Sequence, residues 1–195
     1  MKKRKIAVLG STGSIGESTL KVLKKNRSSF IIELLTANNN YKKLIKQAKI
    51  FKPKNVLIRN ELHYEKVKKS LKNSNIKIYS GNISICNIIV GKLDYTMSAI
   101  VGFAGLQPTL DAIKISKIVA IANKESIICA WELLYKQMKK YKTKILPVDS
   151  EHFSIMELTK DISDEEVEEI IITASGGPFL NIAQNKLNHV KPEQA

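Results

Sequence analysis

The chain has 195 residues, of which 44% are hydrophobic and 26% are charged, and this composition predicts a globular protein. No apolar run is long enough to span a bilayer, so we expect a cytoplasmic protein without a membrane partner. The formal net charge of +14 invites a nucleic-acid partner. The basic residues are scattered over predicted helix faces, however, and we therefore expect no nucleic-acid binding.

A phosphate-binding turn is predicted near the N-terminus. The apolar run Ile6–Leu9 indicates a buried strand, the glycine-rich segment Gly10–Gly16 follows, and a helix is predicted from Ser18. Glycines at this place let the backbone approach a pyrophosphate, and the N–H groups at the start of the helix point towards it. The Thr12 hydroxyl can add a hydrogen bond. Strand, turn and helix together predict nucleotide binding.

The second predicted strand, Phe30–Thr36, bears on the choice between NAD and NADP. A carboxylate at the end of this strand would bind the ribose of NAD. The chain instead has Asn38, Asn39 and Asn40 there, with lysines following. This pattern favours the 2′-phosphate of NADP, although an asparagine run is also typical of a simple turn.

Short apolar runs and helical segments alternate along the next hundred residues. This rhythm predicts an α/β fold with a Rossmann-like, doubly wound, mostly parallel sheet. The further predicted strands are 55–58, 76–79, 95–101, 118–122, 144–148 and 170–173, and the further predicted helices are 44–51, 61–71, 83–90, 106–115 and 127–138.

Two polar clusters follow predicted strands and should lie at the same edge of the sheet. In the first, Lys124 can bind a phosphate or an enolate oxygen and Glu125 a ribose hydroxyl. The alternative is a helix cap formed by Asn123, with Glu125 in the first turn. In the second, extended backbone would direct Asp149 and Glu151 to one side, as ligands of Mg²⁺ or Mn²⁺. Its alternative is also a helix N-terminus.

The downstream segment contains two further features. The acidic run 161–169 indicates a capped, solvated helix start rather than a metal site. A turn at Ser175, after the predicted strand 170–173, offers a hydroxyl and backbone N–H groups suited to a phosphate.

Taken together, four motifs resemble those of the 1-deoxy-D-xylulose 5-phosphate reductoisomerase family, and the resemblance spans nearly the whole chain. They are Gly10–Gly16, Ala122–Ser126, Pro147–His152 and Thr173–Phe179, with support from Ala99–Gly102, Gly105-Leu106 and Pro108–Leu110.

The resemblance implies an NADPH-dependent and metal-dependent enzyme of isoprenoid precursor biosynthesis. Such an enzyme isomerises 1-deoxy-D-xylulose 5-phosphate and reduces the product to 2-C-methyl-D-erythritol 4-phosphate. The metal would be Mg²⁺ or Mn²⁺, with Co²⁺ possible, and a homodimer is implied. The resemblance implies that the cofactor is bound by Gly10, Thr12, Gly13, Ser14, Ile15, Asn38, Asn39, Asn40, Asn123 and Glu125. It implies Asp149 and Glu151 as metal ligands and Lys124, Ser150 and Ser175 as substrate-binding residues. The implied catalytic residues are Lys124, Asp149 and Glu151.

The chain departs from the family pattern in its length and at Asn38 and Asn39, where the family often has a glycine or a basic residue. We expect residues 1–148 to form the NADPH-binding domain and residues 149–195 to begin a truncated catalytic domain. The chain alone is then expected to bind NADPH but to turn over weakly or not at all. The alternative function is a non-catalytic NADP(H)-binding remnant or fragment.

Overall fold

The computed structural model describes residues 3–172 and 177–194. The chain divides into two compact units, Met1–Asp149 and Ser150–Ala195. Among the described residues, no helix combines the length and apolar character needed to cross a membrane.

The first unit is built on a seven-stranded sheet in which every neighbouring pair of strands is parallel. The strand order is β4-β3-β2-β1-β5-β6-β7, and the predicted doubly wound α/β fold is therefore confirmed. The order reverses direction between β1 and β5, which is the position where such folds bind their ligands. The strands are β1 (Arg4–Leu9), β2 (Phe30–Ala37), β3 (Asn55–Ile58), β4 (Lys77–Ser80), β5 (Leu93–Ser98), β6 (Ser116–Ile121) and β7 (Lys144–Pro147).

Helices cover both faces of the sheet and create two apolar cores. Alternation along β1 sends Ile6 and Val8 into one core and Ala7 and Leu9 into the other. The first core contains residues of α1, α2 and α3, and the second contains residues of α4 and α5. These helices are α1 (Ser14–Lys25), α2 (Tyr41–Phe51), α3 (Tyr64–Leu71), α4 (Leu106–Ile115) and α5 (Lys124–Tyr141).

The helix predicted over residues 83–90 is wrong, because the structure has only a single 3₁₀ turn there, Ile85–Asn87. The Ser84 hydroxyl accepts a hydrogen bond from the N–H of Cys86 (3.2 Å) and donates one to the Asp111 carboxylate (2.6 Å). Ile85, Ile88 and Ile89 are buried all the same. Their apolar character reflects burial in the second core rather than a helical repeat.

The second unit begins with α6 (Ser150–Leu158) and continues mainly in short 3₁₀ turns. A strand is not formed at Ile170–Ile172, contrary to the prediction for this segment, and Thr173 lies outside the described residues. A strand requires a partner for its backbone groups, and none occurs within residues 150–172 and 177–194. The acidic run forms a short, exposed 3₁₀ turn, Asp164–Glu166, capped by the pairing of Ser163 with Glu166, which agrees with the predicted capped and solvated helix start.

Candidate nucleotide-binding site

The glycine turn lies where β1 ends, beside the end of β5. Gly10 has φ +75°, a left-handed conformation that favours glycine, and a Cβ there would lie 2.6 Å from the carbonyl oxygen of Ala99. Gly13 is the N-cap residue of α1 and supplies no side-chain cap to that helix. The first-turn N–H groups of α1, at Ser14 and Ile15, therefore have no capping side chain. An uncapped helix start of this kind is the geometry that the predicted phosphate-binding turn requires, and phosphate binding there remains a prediction.

Two residues that were not predicted as functional, Thr36 and Gln47, hold the glycine turn by hydrogen bonds. Thr36 accepts a hydrogen bond from the Gly10 N–H at its hydroxyl (2.9 Å), and its carbonyl oxygen accepts from the Ser11 N–H (2.9 Å). Gln47 accepts from the Ser11 hydroxyl (2.7 Å) and donates to the Ser11 carbonyl oxygen (2.8 Å). Ser11 is fully buried. This network fixes the backbone that would face the phosphates.

The only sequence signal for these two residues is polarity at core positions. Thr36 is the penultimate residue of the buried end of β2, and Gln47 lies on the buried face of α2. Both residues are distant from Ser11 in the sequence, so the sequence alone does not indicate that they contact it.

The asparagine run lies at the end of β2 and partly serves as the turn that the alternative interpretation describes. Asn40 caps α2 by accepting from the Lys43 N–H (3.1 Å), and Asn39 accepts at its side-chain oxygen from the Asn60 amide (2.8 Å). The Lys43 ammonium lies 3.1 Å from the Glu17 carboxylate and 3.4 Å from the Thr12 carbonyl oxygen. Lys43 thus brings positive charge to the glycine turn.

The helix-cap interpretation of Asn123 is confirmed. The Asn123 side chain accepts from the Ser126 N–H (2.8 Å) and donates to the carbonyl oxygens of Ile100 and Gly102. Asn123 is buried and joins the start of α5 to the loop after β5. Lys124 is exposed and Glu125 is half-buried in the first turn of α5, at the same edge of the sheet as the glycine turn. Their roles in binding remain predictions.

The extended geometry expected for Asp149 and Glu151 is wrong. Strand β7 ends at Pro147, and α6 begins at Ser150, so Glu151 lies in the first turn of a helix as the alternative proposes. Glu151 accepts a hydrogen bond from the Ser150 hydroxyl (3.0 Å). Serine and glutamate are favoured at a helix start, and this preference outweighs continuation of the strand.

The metal role of these carboxylates remains a prediction. Within residues 3–172 and 177–194, no group of three or more His, Cys, Asp or Glu side chains is arranged to hold a metal ion. The predicted substrate residue Ser175 lies outside the described residues.

A family model described as 1-deoxy-D-xylulose 5-phosphate reductoisomerase matches residues 6–131. This chain belongs to that family. A second model, for the C-terminal domain of the same family, matches residues 145–195.

Individual relatives agree with this assignment. The reductoisomerase of Pelagibacter ubique is 51% identical over 98% of this chain, and that of Bacteroides fragilis is 41% identical over all of it. Each alignment covers 50% of the relative. The chain therefore spans about half the length of these curated relatives.

Solved structures show the same fold. The Zymomonas mobilis reductoisomerase in complex with NADPH superposes with a TM-score of 0.91 at 39% identity, over 100% of this chain and 51% of the other. A reductoisomerase in complex with NADPH, fosmidomycin and magnesium gives a TM-score of 0.84 at 30% identity, over 98% of this chain and 50% of the other.

Proposed function

We propose that this chain binds NADPH at the carboxyl edge of its sheet and belongs to an enzyme that converts 1-deoxy-D-xylulose 5-phosphate to 2-C-methyl-D-erythritol 4-phosphate. The observation that carries the proposal is the uncapped N-terminus of α1 behind the glycine turn, at the point where the strand order reverses. The NADPH complex of the similar Zymomonas mobilis structure supports it.

The residues of the first unit fit a dinucleotide. At Gly10 a side chain would collide with the Ala99 carbonyl, so the turn brings backbone rather than side chains to its surface. The backbone at Thr12, Gly13, Ser14 and Ile15 would hold the pyrophosphate by N–H donation. Asn38, Asn39 and Asn40 would lie by the adenosine ribose, and Asn123 and Glu125 would also contact the cofactor. When bound, NADPH supplies the hydride.

The metal proposal rests on the chemistry of the donors. Asp149 and Glu151 are hard oxygen ligands of the type that Mg²⁺ and Mn²⁺ prefer, and Co²⁺ is also acceptable. The ion would supply Lewis-acid stabilisation of the substrate oxygens. Lys124 would attract the substrate's negative charge, while Ser150 and Ser175 would donate hydrogen bonds to it.

The proposal also includes a domain division, a cellular location and an oligomeric state. Residues 1–148 form the cofactor domain and residues 149–195 begin the catalytic domain. The protein acts in the cytoplasm, and the assembled enzyme is a homodimer.

The experiment is a fluorescence titration of the purified 195-residue chain with NADPH, followed by an NADPH-oxidation assay with substrate and Mn²⁺. We expect saturable NADPH binding with weak or no turnover, because the described residues contain no three-ligand metal group. Absence of NADPH binding would refute the proposed function.

The second candidate function is a non-catalytic NADP(H)-binding module, which the same absence of a three-ligand group among the described residues favours. The two functions differ in the second assay. Turnover that depends on Mn²⁺ and is lost in Glu151→Gln supports the enzyme and refutes the module, whereas NADPH binding without turnover is compatible with both functions.

A further inference from the structure

Arg59 is the residue that directly follows β3, and it lies against the end of β2. Its backbone N–H donates to the Ala37 carbonyl oxygen (2.9 Å), and the next N–H, at Asn60, donates to the Asn38 carbonyl oxygen (3.2 Å). The Asn60 amide also donates to the Asn39 side chain (2.8 Å). The first residues after β3 are therefore tied to the asparagine run that ends β2.

The end of β2 is where a dinucleotide fold distinguishes a ribose hydroxyl from a ribose 2′-phosphate. A carboxylate at this position selects NAD, and an arginine nearby accommodates NADP. The residues from Thr36 to Lys43 include no Asp or Glu. The asparagines themselves carry no charge to balance a phosphate.

Three basic side chains follow the ends of β2 and β3, namely Lys42, Lys43 and Arg59, and their present contacts differ. Lys42 is exposed in the first turn of α2, and within the described residues no hydrogen bond ties it to the asparagine run. The Lys43 ammonium is paired with Glu17 and directed to the Thr12 carbonyl, towards the pyrophosphate end of the site. Arg59 is half-buried, and no ion pair within residues 3–172 and 177–194 includes it. Its guanidinium is available for a phosphate, which it can bind through two parallel N–H donors.

We propose that Arg59, held beside Asn38 and Asn39 by the β2–β3 backbone hydrogen bonds, binds the adenosine 2′-phosphate and selects NADPH over NADH. This inference rests on the proposed function, because it assigns a specificity-determining residue to that cofactor site. It places the charge that the asparagine run lacks on the residue that directly follows the neighbouring strand β3.

The experiment measures the Kd of the 195-residue chain for NADPH and for NADH, in the wild type and in Arg59→Ala, Arg59→Lys and Arg27→Ala. Arg27 is the matched control because its guanidinium lies before β2, at the opposite edge of the sheet, and donates to the Ile50 carbonyl oxygen (2.8 Å). Both alanine variants remove one positive charge. Circular dichroism verifies that each variant is folded.

We expect the ratio of the NADH Kd to the NADPH Kd to fall fivefold or more in Arg59→Ala and to stay within twofold of wild type in Arg27→Ala. Arg59→Lys should retain part of the preference, because it keeps the charge but not the paired donors. A smaller fall in Arg59→Ala, or an equal fall in Arg27→Ala, overturns the inference while leaving NADPH binding intact. A wild-type chain that binds neither coenzyme overturns the proposed function, and this inference with it.

Discussion

Gly16 provides the most direct test of how α1 is seated on the glycine turn. It lies in the first turn of α1 and is buried. A Cβ at this position would lie 2.7 Å from the Ser11 Cα and 2.8 Å from the Ser11 carbonyl carbon. Ordinary carbon–carbon contacts are about 3.5–4.0 Å. The substitution Gly16→Ala therefore forces the helix and the turn apart by roughly 1 Å.

The expected loss of stability follows from what the methyl group meets. The Ser11 backbone cannot yield easily, because Thr36 and Gln47 hold it by hydrogen bonds. Overpacking of this kind costs about 1–3 kcal/mol. Alanine recovers at most about 1 kcal/mol through its helix propensity. We expect a net destabilisation of about 1–2 kcal/mol, which corresponds to a fall in Tm of about 2–8 °C for a chain of this size.

The assay is thermal and urea unfolding followed by circular dichroism. Gly13→Ala is the control for stability, since its Cβ would first meet the Gly10 carbonyl oxygen at 3.5 Å, an ordinary contact, and its φ is −80°. Its expected destabilisation is below about 1 kcal/mol, the usual effect of placing alanine at an N-cap. A Gly16→Ala chain as stable as wild type would refute the close-approach reasoning.

Three further predictions concern polar groups in both units. Gln47→Leu should destabilise the chain by about 1–3 kcal/mol and weaken NADPH binding, as measured by urea unfolding and fluorescence titration. The substitution removes the Gln47 donor to the buried Ser11 carbonyl oxygen and the shorter hydrogen bond of the Ser11 hydroxyl, which keeps only its 3.2 Å bond to the Thr36 carbonyl oxygen. Unchanged binding would contradict the positioning role. Asp111→Ala should destabilise by a similar amount in the same unfolding assay, because Ser84 and Lys114 lose their shared acceptor. Hydrogen bonds from the Ser163 N–H and hydroxyl lower the pKa of Glu166, so the turn they stabilise should persist above the ordinary glutamate pKa and be lost as the pH falls through the lowered value. An NMR titration of Glu166 should show the lowered midpoint in wild type and a smaller lowering in Ser163→Ala, which removes the hydroxyl donor but keeps the backbone N–H; equal midpoints would exclude a contribution from the hydroxyl.

The parts of the fold that could be predicted are those set by local pattern. Strand β1 and the glycine turn are predictable because a short apolar run is typical of a buried strand and a group of glycines is typical of a turn. Helix α4, predicted over 106–115, forms at those residues. Residues 83–90 could not be predicted in this way, because an apolar run is compatible both with a buried loop and with a buried helix. The hydrogen bond from Ser84 to Asp111, which accompanies the short turn found there, depends on the tertiary structure and is not visible in the local sequence.

In the candidate site, too, some residues could be predicted from the local sequence and others could not. The residues proposed to face the cofactor could be predicted because phosphate binding would constrain a contiguous segment, Gly10–Gly16. The residues that hold this segment, Thr36 and Gln47, are distant in sequence and are joined to it only by the parallel pairing of β1 with β2 and by the packing of α2. Arg59 is of the same kind. Its relation to Asn38 depends on the register of β2 with β3, in which Ala37 pairs with Ile58.

The two carboxylates after β7 show why an incorrect local geometry does not decide a chemical role. The side chains of Asp149 and Glu151 would point to one side only in extended backbone, and the helix that begins at Ser150 excludes that geometry. The proposed metal role now rests on the hard-oxygen donors and on membership of the family. It can be tested separately from catalysis, by measuring Mn²⁺ binding through its electron paramagnetic resonance signal. Glu151→Gln should weaken Mn²⁺ binding tenfold or more, whereas Glu157→Gln, on the same helix, should leave it unchanged. Equal binding by wild type and Glu151→Gln would exclude Glu151 as a metal ligand in this chain.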